Sequence, residues 1–195
     1  MSVYPESIEK AAFSPRRTGG EARPDAHARE ASLVCGCFIS ISLEIDAGSG
    51  CVRDAACRSN GCGYLIAFAE EICGAIIGRP IVSLSESARR DIASSAKASL
   101  GGLPASRAHC LDLIERSVAA ALAAYRARVI GEYNGDDALV CTCFGVSEAA
   151  IEACIRDNSL STVDEVIDIC RAGGGCGSCQ PIVQEMLDMA RREAA

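Results

Sequence analysis

Four cysteines of this sequence stand in two tight pairs, Cys141-Thr-Cys143 and Cys176-Gly-Ser-Cys179, and the second pair follows the glycine string at 173–175. Thiolates one or two residues apart can ligate the same small inorganic core without straining the backbone between them. A 2Fe-2S cluster takes four cysteine sulfurs, two for each iron. Bare glycines beside such ligands let backbone N–H groups approach the cluster sulfides, and those hydrogen bonds help set its potential. A tetrahedral zinc ion takes the same four thiolates and stays open as a rival occupant. Small buried cysteines are the bland alternative, but burial alone does not produce paired spacing at loop positions. The glycine string is not a phosphate loop, because it follows a helical pattern rather than a strand and lacks a Gly-Lys-Ser/Thr ending.

Three further cysteines sit at element boundaries. Cys35 precedes a strand pattern, Cys62 lies in the glycine-flanked turn 60–63, and Cys110 opens a helical pattern next to His109. Such loop ends can meet at one tip of a small domain. At a helix N-terminus the exposed N–H groups and the local dipole favour a thiolate, so Cys62 and Cys110 are expected to be poised as ligands or nucleophiles, with His109 in support. Cys51, Cys57, Cys73, Cys154 and Cys170 fall on strands or apolar helix faces without paired spacing and are expected to be small buried hydrophobes.

Thirteen cysteines in 195 residues call for an explanation. The N-terminus MSVYPESIEK opens polar and acidic rather than as a secretory signal, and no apolar run reaches membrane-spanning length. A cytoplasmic, reducing location is expected, which disfavours a disulfide framework and leaves metal or sulfur chemistry. The net charge of -7, with four Phe, four Tyr and no Trp, argues against a nucleic-acid surface. Neither nucleic acid nor membrane is an expected partner.

Two domains are expected to position these thiols. Residues 4–15 read as a short amphipathic helix, followed by a polar, flexible lead-in over 16–29. In CFISISLEID, Ile39, Ile41, Leu43 and Ile45 alternate with polar residues, the period of a half-buried strand. The turn 46–50 returns the chain into an antiparallel partner over 51–58. Leu65, Phe68, Ile72 and Ile76 then recur at helical spacing. Residues 83–100 read as a helix, and Leu111, Ile114, Val118, Leu122 and Tyr125 line another. The first domain, 1–130, is therefore α+β, a small antiparallel sheet with packed helices. The acidic, turn-rich GEYNGDD at 131–137 is the expected boundary. A small all-α 2Fe-2S domain follows over 138–195. Its helices are capped by Ser147 and by the Thr162/Glu165 capping box, and a last one from Pro181 to Arg192 carries Ile182, Met186 and Met189 on its apolar side.

The segment CTCFGVSEAAIEACIRDNSLSTVDEVIDICRAGGGCGSC resembles the bacterioferritin-associated-ferredoxin-like domain in the middle of NifU-type proteins. The likeness implies that Cys141, Cys143, Cys176 and Cys179 hold a permanent, redox-active 2Fe-2S cluster. Residues 3–127 are similar to the IscU/NifU scaffold domain through Tyr4, Ser14-Pro15, Cys35-Gly36, Asn60-Gly-Cys62-Gly63, Gly102-Leu-Pro104 and His109-Cys110. That likeness implies that Cys35, Cys62 and Cys110 receive persulfide sulfur from a cysteine desulfurase and combine it with iron. The transient cluster so built passes to apo iron-sulfur proteins.

Three positions depart from the scaffold pattern. The family's Cys-Gly-Asp is Cys35-Gly-Cys37, a serine-rich stretch is Tyr64 to Glu70, and a lysine before His-Cys is replaced around Arg107. A fourth soft thiolate at Cys37 should hold iron more firmly than a hard carboxylate. The expected function is thus an iron-sulfur cluster assembly scaffold and carrier, not an enzyme. The alternative is an electron-transfer or redox-sensing protein with two stable clusters, and zinc stays open at the scaffold site formed by Cys35, Cys37, Cys62 and Cys110. The resemblance also implies a homodimer, nitrogenase components among the clients of a nitrogen-fixation system, and a third domain with another Cys-x-x-Cys that this sequence does not include.

Overall fold

The computed structural model describes residues 3–17, 24–132 and 138–193. The chain divides into two compact units, Met1–Tyr125 and Arg126–Ala195. Of the boundary segment 131–137, residues 133–137 lie outside the described residues, as do 18–23 of the lead-in.

The first unit is built on a three-stranded antiparallel sheet in sequential order, β1 (Ala26–Ala31), β2 (Phe38–Ile45) and β3 (Val52–Ser59). β1 corrects the sequence reading, which ran the flexible lead-in through residue 29. AHAREA alternates in burial but is too short and polar to announce itself, and it earns its place by pairing Ala26 to Ala31 against Leu43 to Phe38. In β2 the expected face is buried, with Ile39, Ile41 and Leu43 fully inside and Ile45 nearly so. Each such side chain removed from water contributes about 1.5–3 kcal/mol.

Around the sheet run α1 (Glu6–Phe13), α2 (Gly63–Ile76), α3 (Glu86–Ser99) and α4 (Ala108–Glu132). α2 packs on β3 and on α1, burying Leu65, Phe68, Ile72 and Ile76. α3 starts at Ser85, whose hydroxyl accepts the Ala88 N–H and satisfies one orphan donor. α4 buries Leu113, Ile114, Val118 and Leu122, and its Ser117 hydroxyl donates to the Ile39 carbonyl of β2. A buried carboxylate ties down the segment after α1. Glu70 accepts the Arg16 and Arg17 backbone N–H groups at 2.8 and 3.0 Å and the Arg17 guanidinium at 3.1 Å.

The second unit is helical, as expected, with one addition. A two-stranded antiparallel ribbon, β4 (Leu139–Cys141) with β5 (Val146–Ser147), opens it. α5 (Glu148–Asn158) is capped by Ser147 through the Ala150 N–H, and α6 (Val163–Cys170) carries the full Thr162/Glu165 capping box. The C-caps Ser159 and Arg171 take left-handed backbone, and the Arg171 guanidinium lies 4.4 Å from the Phe144 ring centroid, a cation–π contact. In α7 (Gln180–Glu193) the buried side is Val183, Met186 and Leu187. Ile182 and Met189 are 46% and 57% exposed, because the stripe that meets α5 and α6 is rotated by one position from the expected one.

Candidate metal centres

In the first unit the chain tip between β1 and β2 carries Cys35 and Cys37. The Ser32 N–H donates to the Cys37 carbonyl at 2.8 Å and the Gly36 N–H to the Ser32 carbonyl at 2.9 Å. Gly36 turns with φ +70° into open space, so glycine serves the backbone there and not a close approach. Cys35 is left exposed and Cys37 half-buried.

The tip is tied to the turn bearing Cys62. Asn60 Oδ1 accepts the Phe38 N–H at 2.8 Å, while the Ser59 hydroxyl donates to the Phe38 carbonyl and accepts the Gly61 N–H. Cys62 is the N-cap of α2 but makes no side-chain cap bond. Tyr4 serves instead: its hydroxyl accepts the Gly63 N–H at 3.2 Å, and its ring fills the space that a Gly63 Cβ would need, 2.9 Å away. The Cys62 thiol is thereby spared for other work. Cys110, in the first turn of α4, is buried, with His109 Nε2 3.8 Å from its sulfur.

The thiols act on one another, which requires proximity. Cys35 is lowered to about 6, chiefly by the Ser32 hydroxyl, then by the backbone and thiol of Cys37, with His109 also hydrogen-bonded to it. Burial raises Cys37, and Cys35 and Cys62 add to the rise. Cys110 is pushed up to about 12, by burial first, then by the charges of Cys62 and Cys35. Desolvation and the two negative neighbours act on Cys110 against the helix end, which would favour the thiolate. Cys35, Cys37, Cys62, Cys110 and His109 are gathered at one end of the unit. Among the described residues, in neither cysteine group do three such side chains already stand in ligand geometry.

In the second unit Cys141, Cys143, Cys176 and Cys179 line one small recess, together with Val140, Thr142, Gly175 and Ser178. The Cys143 and Cys176 sulfurs are 3.5 Å apart. Cys141, Cys143 and Cys179 are buried and Cys176 is exposed. Burial raises Cys143 and pushes Cys179 up to about 11, whereas the Ser178 hydroxyl and backbone lower Cys176 to about 7. The charge of Cys141 adds to the rise at Cys179. Arg126 favours the thiolate at both Cys143 and Cys176, a cation that sequence spacing does not disclose. Gly175 passes so close that a Cβ there would lie 2.8 Å from the Cys143 sulfur. Four soft donors around a recess, with bare backbone against one sulfur, fit a 2Fe-2S cluster.

The remaining cysteines correct the reading of uniform burial. Cys57 and Cys73 are buried, but Cys51, Cys154 and Cys170 are half-buried. Cys73 lowers Cys57, while at Cys154 burial first and then Cys170 push the thiol up. These influences cross between separate elements, so no sequence spacing marks them. The hydrogen bonds from Ser32, Ser59 and Asn60 were equally hidden, because their partners are backbone groups or distant residues.

Residues 3–131 match the family described as NifU-like N terminal domain, two thirds of the chain. The chain belongs to this family. Residues 139–189 match the BFD-like 2Fe-2S binding domain. Members of the family are iron-sulfur scaffold proteins, and here the scaffold unit is joined to a 2Fe-2S binding domain. The nitrogen fixation protein NifU of Azospirillum brasilense is 30% identical over 96% of this chain and 60% of its own length. The chain spans 54–60% of the length of the NifU relatives that it matches along most of its own. The assimilatory nitrate reductase electron transfer subunit of Bacillus subtilis is 44% identical over 48 residues, 25% of this chain and 6% of that one. A solved N-terminal NifU-like protein from Brucella abortus aligns at 18% identity over 65% of this chain and 96% of that one, with a TM-score of 0.46. Among the described residues no helix is long and apolar enough to cross a membrane.

Proposed function

We propose that this chain is a cytoplasmic cluster scaffold and carrier rather than a catalyst of substrate turnover. In this reading residues 1–130 build a transient 2Fe-2S cluster and residues 138–195 hold a permanent one. The observation that carries it is the gathering of Cys35, Cys37, Cys62 and Cys110, with His109, at one end of the first unit, from a hairpin tip, a helix cap and a buried helix start. An exposed thiolate beside half-buried and buried thiols suits stepwise loading. Cys35, ionised and accessible, attacks the outer sulfur of a persulfide on a cysteine desulfurase, whose thiolate leaves. Cys37, Cys62 and Cys110 then hold ferrous iron against that sulfur, an external thiol or one-electron carrier supplies the two electrons that break the Cys35 S–S bond to leave bridging sulfide and the Cys35 thiolate, and the finished cluster is the cargo delivered to apo iron-sulfur proteins, nitrogenase components among them. Pairing of two copies of the chain would bring two such sites into one carrier.

In the second unit Cys141, Cys143, Cys176 and Cys179 would hold the resident cluster, which when bound supplies one-electron redox chemistry. Gly175 supplies close backbone approach, Arg126 supplies positive charge beside Cys143 and Cys176, and the three buried cysteines limit water at the site.

Iron and acid-labile sulfide are to be counted on anaerobically purified protein. After loading with iron, a desulfurase and cysteine, one cluster should leave for an apo-ferredoxin while the other stays. A pale protein containing only zinc refutes both assignments. The second reading, two stable clusters for electron transfer or redox sensing, draws on the fourth thiol at Cys37 and on the electron-transfer relative of the second unit. Cys37→Asp separates them: if Cys37 retards release, the variant hands over its cluster faster, and an unchanged rate removes that role.

A further inference from the structure

Two segments of the second unit are held against each other at the recess. On one side stand Cys143 and Phe144, in the turn between β4 and β5. On the other runs the glycine loop that leads from the end of α6 to Cys176. Three contacts join them. The Arg171 guanidinium, at the root of the loop, lies 4.4 Å from the Phe144 ring centroid. Gly175 passes so near that an added Cβ would meet the Cys143 Cβ at 2.7 Å and a ring carbon of Phe144 at 3.5 Å. One residue further on, the Cys143 thiol donates to the Cys176 sulfur at 3.5 Å. The Cys176 thiol in turn donates to the Ser178 hydroxyl at 3.2 Å.

The two sulfurs differ in access. Cys176 is exposed, whereas Cys143 is only 6% exposed. A small disulfide arriving from solution therefore meets Cys176 first, and Cys143 reacts only with what Cys176 has taken up. From 3.5 Å the sulfurs need approach by about 1.5 Å to reach the S–S bond length of about 2.0 Å. Held this near by the packing, the Cys143 thiol acts at a far higher effective concentration than a thiol in solution.

We propose that Cys143 and Cys176, when no metal holds them, form a reversible disulfide that oxidised glutathione installs and a dithiol removes, and that locks the second site while it lasts. The Cys176 thiolate attacks one sulfur of oxidised glutathione, whose S–S bond breaks and releases one glutathione thiolate. The Cys143 thiolate then attacks the Cys176 sulfur of the mixed disulfide, and the second glutathione thiolate leaves. The two protons given up by the cysteines end on the two glutathione thiols, and the two electrons lost by the cysteine sulfurs reduce the glutathione disulfide. The new bond withdraws one donor from each cysteine pair, so the two that remain cannot supply the four sulfurs of a 2Fe-2S cluster. A bound cluster engages the same two thiolates and keeps them from the oxidant. The lock rests on the reading of these cysteines as cluster ligands, while the disulfide itself rests on the contact alone.

The full chain is freed of metal by a chelator under reductant, desalted without oxygen and equilibrated with mixtures of reduced and oxidised glutathione. It is then quenched in acid, alkylated, digested and sequenced by mass spectrometry. A linked peptide joining residues 143 and 176 should appear in a single two-electron transition. Cys143→Ser should stop at one glutathione on Cys176, and Cys176→Ser should leave Cys143 alkylated. Chain loaded beforehand with iron and sulfide should keep its iron and show no such bridge over the same mixtures. With Cys35→Ser and Cys62→Ser disabling the first site, cobalt(II) should give the reduced chain a thiolate-to-metal absorption band that falls at least twofold in the bridged chain. Two alkylated thiols throughout the metal-free series, a bridge from either residue to any other cysteine, or equal cobalt bands overturns the proposal. A chain that bridges 143 to 176 yet takes up no iron and sulfide overturns the cluster reading, and the lock with it, but leaves the disulfide standing.

Discussion

Replacing Gly175 with alanine puts a methyl group where the ligand turn leaves no room for one. An added Cβ would sit 2.7 Å from the Cys143 Cβ and 2.8 Å from its sulfur. Rotation about χ1 moves the sulfur but not the Cβ, so relief must come from the backbone, by at least about 0.7 Å to reach ordinary carbon–carbon contact. A ligand constellation tolerates displacements of only about 0.5 Å. Overpacking of this kind costs about 1–3 kcal/mol. If that cost falls on the cluster-bound form, retention drops roughly 5- to 140-fold. Gly175 is not among the glycines with positive φ, so the substitution probes close approach alone. Gly36→Ala is the complementary control at the other site, with open space around the new methyl but φ at +70°, and it should cost about 1–2 kcal/mol through backbone strain. The assay is the rate at which visible absorption and iron are lost to a chelator without oxygen, alongside thermal melting of the apo chain. Retention by Gly175→Ala within about twofold of wild type, with an unchanged melting temperature, would falsify the steric argument.

Three other perturbations test the geometry of the first unit. Asn60→Ala removes the acceptor of the Phe38 N–H that ties the Cys37 strand to the Cys62 turn; stability should fall by about 0.5–1.5 kcal/mol and iron affinity at the first site should weaken, while unaltered metal titration counts against a positioning role. Cys35, lowered to about 6, keeps its thiolate down to that pH and loses it below, so its alkylation rate should be half-maximal near pH 6 and flat from neutrality upward. Ser32→Ala should move that midpoint upward, and a wild-type midpoint close to that of an ordinary thiol contradicts the assignment. Glu70→Ala strands the Arg16 and Arg17 N–H groups and the Arg17 guanidinium, and should cost about 1–3 kcal/mol in denaturant unfolding; a loss below that range means that water replaces the carboxylate.

Local chemistry was enough to read much of this molecule from its sequence. The alternation of Ile39, Ile41, Leu43 and Ile45 names a buried strand face because side-chain period and burial are locked together in a pleated strand. The Ser147 and Thr162/Glu165 caps are visible because donor and acceptor lie within four residues. The two cysteine pairs of the second unit point through their spacing to a shared site, and the fold lines one recess with all four. What depends on distant partners stayed hidden. β1 is a strand because β2 offers it an edge, and AHAREA carries little preference of its own. Burial beside two other thiols pushes Cys110 up, against what its place at a helix start favours. Residue type and short-range spacing set which groups this protein can offer to iron and sulfur. Tertiary packing decides their charge state, accessibility and partners, because desolvation and contact between remote segments exist only in the folded chain.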